Sequence, residues 1–144
     1  MEQLTQEILR LCRMYGECRV EVERREEARK VRNALEKVCA EARQDMDIAD
    51  PALLVALLEA CEVTRDEGML QEVLDVVGGN LERLAVSAES AKLLAYCYYY
   101  VEEEECLVRA GEMVEKLREE GEDVGEVEQV VGEMVGGKKV KSKK

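Results

Sequence analysis

Apolar residues recur at intervals of three and four through most of the chain, which places them on one face of an α-helix. The first such stripe runs from residue 4 to residue 42 and is interrupted by four charged residues at 24–27. This pattern favours one long helix with a weak point at Gly16, because a glycine costs only about 1 kcal/mol inside a helix. Two helices that meet near Gly16 and form a hairpin are the alternative.

Local signals divide the rest of the chain into further helices. Asp50-Pro51 predicts a helix start, with aspartate as the N-cap and proline at the first helical position. Thr64 and Glu67 have the spacing of a capping box, and Ser87 is predicted to be an N-cap. Gly78-Gly79 and Gly136-Gly137 predict helix ends. Because alternating apolar and polar runs are missing from the sequence, the predicted fold is all-α.

A short internal repeat indicates how these helices are arranged. The string LLEAC at 57–61 recurs as LLAYC at 93–97, a spacing of 36 residues. Antiparallel helix pairs repeated at such intervals are typical of α-solenoids. The sequence therefore predicts a long helix or hairpin over 1–45 and a helical-repeat part over 50–135. The repeat part is either a short TPR-like solenoid or an irregular bundle, and both parts belong to one domain over 1–137.

The apolar stripe at the N-terminus has two interpretations. Packing against the rest of the same chain explains it, since an amphipathic helix must bury its apolar face. Its steps of four and three also match a coiled-coil seam that could pair with a partner helix. The residues of this candidate seam are Leu4, Ile8, Leu11 and Tyr15.

Charge is distributed unevenly along the 144 residues. The chain has 33 acidic and 21 basic residues, a formal net charge of −12. Five of the basic groups lie in the last seven residues, so the remainder is strongly acidic and would repel a phosphate backbone. We therefore expect protein partners, and nucleic acid only through the C-terminal tail, 138–144. This tail is predicted to be disordered, and its lysines are Lys138, Lys139, Lys141, Lys143 and Lys144.

Residue types exclude most catalytic chemistry. The sequence contains no histidine, which removes His general bases, His-activated nucleophiles and His-containing zinc sites. The six cysteines form no C-x-x-C pair, so buried and reduced thiols are expected, with Cys106 the best candidate for an exposed one. GEMVGGKK at 132–139 is almost a phosphate-binding loop, but Lys139 stands where serine or threonine is required. We predict no enzyme activity, metal or cofactor.

Neither a signal peptide nor a run of about 18 apolar residues is present in the sequence. This predicts a cytoplasmic or nuclear protein with no membrane partner.

Four of the five tyrosines lie within five residues, at Tyr96, Tyr98, Tyr99 and Tyr100. A helix turns every 3.6 residues, so these rings cannot all face inward. Packing between helix pairs, contact with another protein and stacking of nucleic-acid bases are the three interpretations. The adjacent glutamates at 102–105 are expected to form a solvated turn.

The stretch 53–103, with LLVALLEAC, MLQEVLDVV, LLAYC and YYYVEE, resembles the N-terminal helical repeats of proteasome regulatory-lid non-ATPase subunits. Those subunits end in a PCI domain, which this sequence does not contain. The stretch 116–134 is similar to the repeats further along such subunits. The resemblance implies a helical-repeat subunit of a larger assembly. Residues 92–123, especially AGEMVEKLREEG, also resemble a pentatricopeptide repeat, which implies association with RNA.

These observations predict a non-catalytic scaffold or adaptor that binds another protein through the tyrosines, with the N-terminal seam as a further candidate contact. The alternative is an RNA-associated helical protein.

Overall fold

The computed structural model describes the backbone of residues 2–142 and the side chains of residues 2–134. Within the described residues the chain is all-α, as predicted, and contains no strand. The seven described α-helices are α1 (Glu2–Cys18), α2 (Arg25–Arg43), α3 (Pro51–Thr64), α4 (Glu67–Gly78), α5 (Ala88–Val101), α6 (Glu104–Glu119) and α7 (Gly125–Ser142).

The first of two compact units spans Met1–Gly79 and contains α1 to α4. In this unit α1 packs against both α2 and α3, and α3 also packs against α4. The N-terminal region is therefore a hairpin, and the preference for one long helix is wrong. Gly16 lies inside α1, and the helix ends two residues later, before a short 3-10 turn at Val22–Arg24. The chain reverses here because the apolar stripe is interrupted, and folding back lets α1 and α2 bury their stripes against each other.

Helix α3 is the central helix of the first unit, and every residue from Leu53 to Leu58 is buried. It begins as predicted, with Pro51 at the first helical position and the Asp50 carboxylate accepting a hydrogen bond from the Leu53 amide at 3.4 Å.

The predicted capping box at Thr64 is wrong. Thr64 is the last residue of α3, and its buried hydroxyl donates to the Ala60 carbonyl at 2.7 Å. The N-cap of α4 is Asp66, whose carboxylate accepts from the Met69 amide at 3.0 Å. Both residues can cap a helix, and aspartate has the stronger preference for this position.

The second unit spans Asn80–Lys144, in which α5 packs against both α6 and α7. Ser87 caps α5 as predicted, accepting from the Ser90 amide at 3.0 Å. Gly121 follows α6 with a φ of +81°, a left-handed conformation that glycine adopts without steric cost.

Helix α7 continues through Gly136-Gly137 to Ser142, so the predicted helix end at these glycines is wrong. Glycine weakens a helix by about 1 kcal/mol per residue but does not block its backbone hydrogen bonds. Residues 138–142, which were predicted to belong to a disordered tail, are thus part of α7. Lys143 and Lys144 lie outside the described residues, as do the side chains of Lys138, Lys139 and Lys141.

The compact units also divide the chain differently from the two predicted parts, 1–45 and 50–135. The boundary lies after Gly79, because α1 packs against α3 and joins the N-terminal hairpin to it. The prediction of a single domain over 1–137 stays a prediction.

Three helices begin at a constant interval of 37 residues, α3 at Pro51, α5 at Ala88 and α7 at Gly125. Helices α3 and α5 have 14 residues each, and both end at a non-glycine residue in the left-handed conformation, Arg65 and Glu102. Burial along 53–60 closely matches burial along 90–97. This structural interval is one residue longer than the 36-residue spacing of the sequence repeat. Cys61 and Cys97, which match in the repeat, therefore do not occupy equivalent positions in α3 and α5.

Candidate functional site

Helix α5 places the four predicted tyrosines in its C-terminal half. Leu93, Leu94 and Cys97 are buried on the inner face of this helix, which fixes its orientation in the second unit. The tyrosine surface, defined as Tyr96, Tyr98, Tyr99 and Tyr100, consists of side chains that are each half-buried. The rings therefore pack partly within the unit and remain partly accessible.

Two of these rings contact each other. The ring centroids of Tyr99 and Tyr100 lie 5.1 Å apart with an interplanar angle of 84°, an edge-to-face arrangement. This geometry directs the positive edge of one ring toward the negative face of the other. Contact between neighbouring rings restricts their side-chain freedom, so less entropy is lost when a partner packs on them.

Apolar and acidic residues surround the C-terminal end of α5. Glu102 adopts a left-handed conformation and donates its amide to the Tyr98 carbonyl at 2.9 Å, which ends the helix. The acidic turn, Glu102–Glu105, is exposed at all four positions. Val101 and Val108 flank this turn in sequence and are 42% and 57% exposed. The end of the α5–α6 hairpin thus combines tyrosine rings, exposed valines and four carboxylates.

Cys106, the predicted exposed thiol, is buried, with only 3% of its surface exposed. This prediction is wrong because α6 already begins at Glu104, and Cys106, its third residue, has its side chain buried in the unit. Burial raises the pKa of the Cys106 thiol, and the charges of Glu103 and Glu105 raise it further.

The other five cysteines are also buried, as predicted. Burial is the main cause of their raised thiol pKa values, which reach about 12 for Cys12, Cys61 and Cys97 and about 11 for Cys39. These thiols remain protonated near neutral pH, so they are poor nucleophiles. No group of three or more potential metal ligands comes together among the described residues.

Two residues of the candidate N-terminal seam are used inside the first unit. Ile8 and Leu11 are buried, and α1 packs against α2 and α3. They are unavailable to a partner helix. Leu4 and Tyr15 are half-buried, and Tyr15 lines a cleft that the sequence analysis did not identify.

This cleft has a volume of about 380 Å³ and lies at the turn between α1 and α2. Its walls include four arginines, Arg19, Arg25, Arg29 and Arg32, and we call it the arginine cleft. In the sequence this region is a polar interruption of the apolar stripe. One signal of the cleft was present in the sequence. Arg25, Arg29 and Arg32 are separated by four and three residues, which places them on one face of α2.

Neither predicted site is supported by similarity to another protein. Comparison of the chain with protein-family models, with curated proteins and with solved structures finds no match. The resemblances to proteasome-lid subunits and to pentatricopeptide repeats therefore stay predictions. Among the described helices, none combines the length and the apolar composition that crossing a bilayer requires.

Proposed function

We propose that the protein is a non-catalytic scaffold or adaptor that binds another protein through the tyrosine surface, as a subunit of a larger assembly. The observation that carries this proposal is the group of four half-buried tyrosines at the end of the α5–α6 hairpin. Tyrosine is enriched at the energetic centres of protein interfaces, because its ring buries a large area while its hydroxyl still finds a hydrogen-bond partner.

The internal recurrence supports this assignment. Positions 59, 62 and 63 of α3 correspond to positions 96, 99 and 100 of α5 at the 37-residue interval, and they carry Glu59, Glu62 and Val63. The helix position therefore does not itself require tyrosine. Helices α3 and α5 have the same length and the same type of C-terminal cap, and the tyrosines are what distinguishes α5 from α3.

The packing order also supports a scaffold built from helix pairs. In the first unit, α1 and α3, the first helices of successive pairs, pack against each other. In the second unit α5 and α7 pack in the same way. Helical-repeat proteins stack neighbouring pairs in this order and bind partners along the surfaces that result.

The charge around the tyrosine surface favours a protein over RNA. Base stacking on tyrosines needs a positively charged groove for the phosphates. Here the exposed neighbours are the glutamates of the acidic turn, Glu102–Glu105, which repel phosphate. A protein partner with an apolar centre and a basic rim complements both the exposed valines and these carboxylates.

The test is affinity capture from the native cell with three versions of the chain: wild type, Tyr98→Ala/Tyr99→Ala and Glu62→Ala. Glu62 is the exposed counterpart of Tyr99 in α3, so its replacement controls for an alanine at the matching helix position. We expect proteins retained by the wild type and by the control to be reduced about tenfold or more with the double variant, since tyrosines at the energetic centre of an interface cost about 2 kcal/mol or more when truncated.

Folding of each variant is measured by circular dichroism, and capture is performed well below the lowest melting temperature. Half-buried rings contribute to stability, so a modest decrease in melting temperature is expected for the double variant. Identical sets of captured proteins for all three versions would refute the role of the tyrosine surface.

A further inference from the structure

The turn between α1 and α2 combines positive charge with exposed apolar side chains. Val20 and Val22 are 74% and 77% exposed, the highest values among the large apolar residues that the structure describes as exposed. Both line the arginine cleft. A single exposed valine is ordinary, but two that border a cleft with four guanidinium groups form a mixed apolar and cationic surface.

Two of the arginines are held in place by long-range contacts. Arg32 donates to the Thr64 carbonyl at 2.9 Å and to the Tyr15 hydroxyl at 3.2 Å. Arg19 donates to the Val63 carbonyl at 3.4 Å. The acceptor carbonyls belong to the last turn of α3, where helix carbonyls lack partners within the helix and attract positive charge.

The ring of Tyr15 connects these two arginines. The guanidinium carbon of Arg19 and that of Arg32 each lie 5.9 Å from the centre of the ring, within the range of cation–π attraction. Hydrogen bonds to Glu36 and Tyr15 raise the pKa of Arg32, so its guanidinium stays charged. The wall formed by these three residues is thus positioned before any ligand arrives.

The other two arginines keep their charge available. The Arg25 side chain makes no ion pair or hydrogen bond with the described part of the chain. Arg29 pairs with Glu26 at 2.8 Å, but both side chains are about 70% exposed, so this pair is weak. Among the described residues that line the cleft, Glu21 is the one acidic residue, and its carboxylate lies 3.9 Å from Arg24.

We propose that the arginine cleft binds a short acidic segment of a partner protein, with carboxylates on the arginines and an aliphatic side chain against Val20 and Val22. Arginine binds carboxylates through paired hydrogen bonds, which suits Arg25 and Arg29. A volume of about 380 Å³ accommodates a few side chains. The net charge of −12 disfavours a long polyanion such as RNA, whose phosphates outside the cleft would face an acidic surface.

The test uses the full chain, labelled with ¹⁵N, and a hexapeptide that contains four glutamates and two leucines. A matched peptide has glutamine in place of every glutamate. We expect the acidic peptide to cause saturable shifts of backbone amides between residues 15 and 32, and the glutamine peptide to cause none at the same concentration. Inorganic phosphate is titrated in parallel.

Variants then locate the site. Arg25→Glu/Arg29→Glu should weaken binding of the acidic peptide about tenfold or more, because charged hydrogen bonds are lost and repulsion is added. Lys37→Glu makes one such charge reversal on the exposed face of the same helix outside the cleft, and we expect less than a twofold change. All three substituted residues are exposed, so the variants should fold, and their amide spectra verify this.

Several results would overturn the proposal. If the glutamine peptide bound as tightly as the acidic peptide, the arginines would not recognise carboxylates. If phosphate caused the same amide shifts as the acidic peptide, the cleft would be a general anion site. Equal weakening by Lys37→Glu would show a nonspecific charge effect. Tighter binding of a single-stranded RNA hexamer than of the acidic peptide would assign the cleft to nucleic acid. The tyrosine surface is unchanged in all these variants, so failure here is distinguishable from failure of the proposed function.

Discussion

Raising the pH from 8 to 10 should destabilise this protein strongly because its cysteines are buried. A thiol whose pKa is higher in the folded chain than in the unfolded chain loses its proton first in the unfolded state. Alkaline pH therefore favours unfolding, and the stabilisation is lost as pH rises from the ordinary thiol value toward the folded one. Four thiols have folded pKa values of about 11 or 12, against an ordinary value of 9.0.

The expected loss follows from proton linkage. An unfolded thiol with a pKa near 9 gains about 1.4 kcal/mol by ionising at pH 10, whereas a folded thiol with a pKa of 11 or 12 gains almost nothing. Each of the four thiols thus removes about 1.3 kcal/mol between pH 8 and pH 10, or about 5 kcal/mol together. That is a large fraction of the stability of a typical domain.

The assay is urea unfolding at pH 8, 9 and 10 under reducing conditions, followed by circular dichroism. Cys97→Ala should lose about 1.3 kcal/mol less than the wild type over this range, since one buried thiol is gone. Ser90→Ala, which changes a buried residue that does not titrate, should show the wild-type pH dependence. The three proteins differ only at residues 90 and 97, so the comparison isolates the contribution of the Cys97 thiol. An identical loss for Cys97→Ala and the wild type would refute the reasoning.

Three further changes test the packing and the caps. Leu57→Ala should lower the free energy of unfolding by about 3–5 kcal/mol, because Leu57 is completely buried, whereas Val108→Ala on the exposed face of α6 should lower it by less than about 0.5 kcal/mol. Asp66→Ala should lower the free energy of unfolding by about 1 kcal/mol, because the N-cap of α4 is lost, and Thr64→Val should lower it by less. If thermal unfolding shows the larger loss for Thr64→Val, then Thr64 and not Asp66 caps α4. Glu72→Gln should cost less than about 1 kcal/mol at pH 7, because a hydrogen bond from Arg43 lowers the pKa of Glu72 and stabilises the folded chain. This cost should shrink in urea titrations as the pH falls through the folded pKa of Glu72, and a cost that does not change with acidification would contradict this.

Signals that act within one turn of a helix were readable from the sequence. Asp50-Pro51 and Ser87 begin α3 and α5 as predicted, since an N-cap interacts with an amide three residues away. The prediction that Thr64 caps α4 failed because Asp66, two residues further on, is also a good N-cap residue. Both residues fit the local sequence pattern. The half-buried tyrosines of α5 also followed from helical geometry alone, because four rings in five residues cannot share one face.

Features that depend on distant contacts could not be read in this way. The apolar stripe has nearly the same periodicity before and after residues 19–24, so the reversal between α1 and α2 becomes visible only when the two helices pack. The arginine cleft depends on hydrogen bonds from Arg19 and Arg32 to carbonyls 44 and 32 residues further along the chain. The 36-residue sequence repeat differed from the 37-residue structural interval, because identical residues in two helices need not occupy equivalent helix positions.

Because every cysteine is buried, the reactivity of the thiols reports on local unfolding of the protein. Four thiols belong to the first compact unit and two to the second. An alkylating reagent can modify a buried thiol only when its surroundings open transiently, so modification rates measure the free energy of that opening. Counting modified cysteines by mass spectrometry, with no added label, would therefore show whether the two units open together or separately.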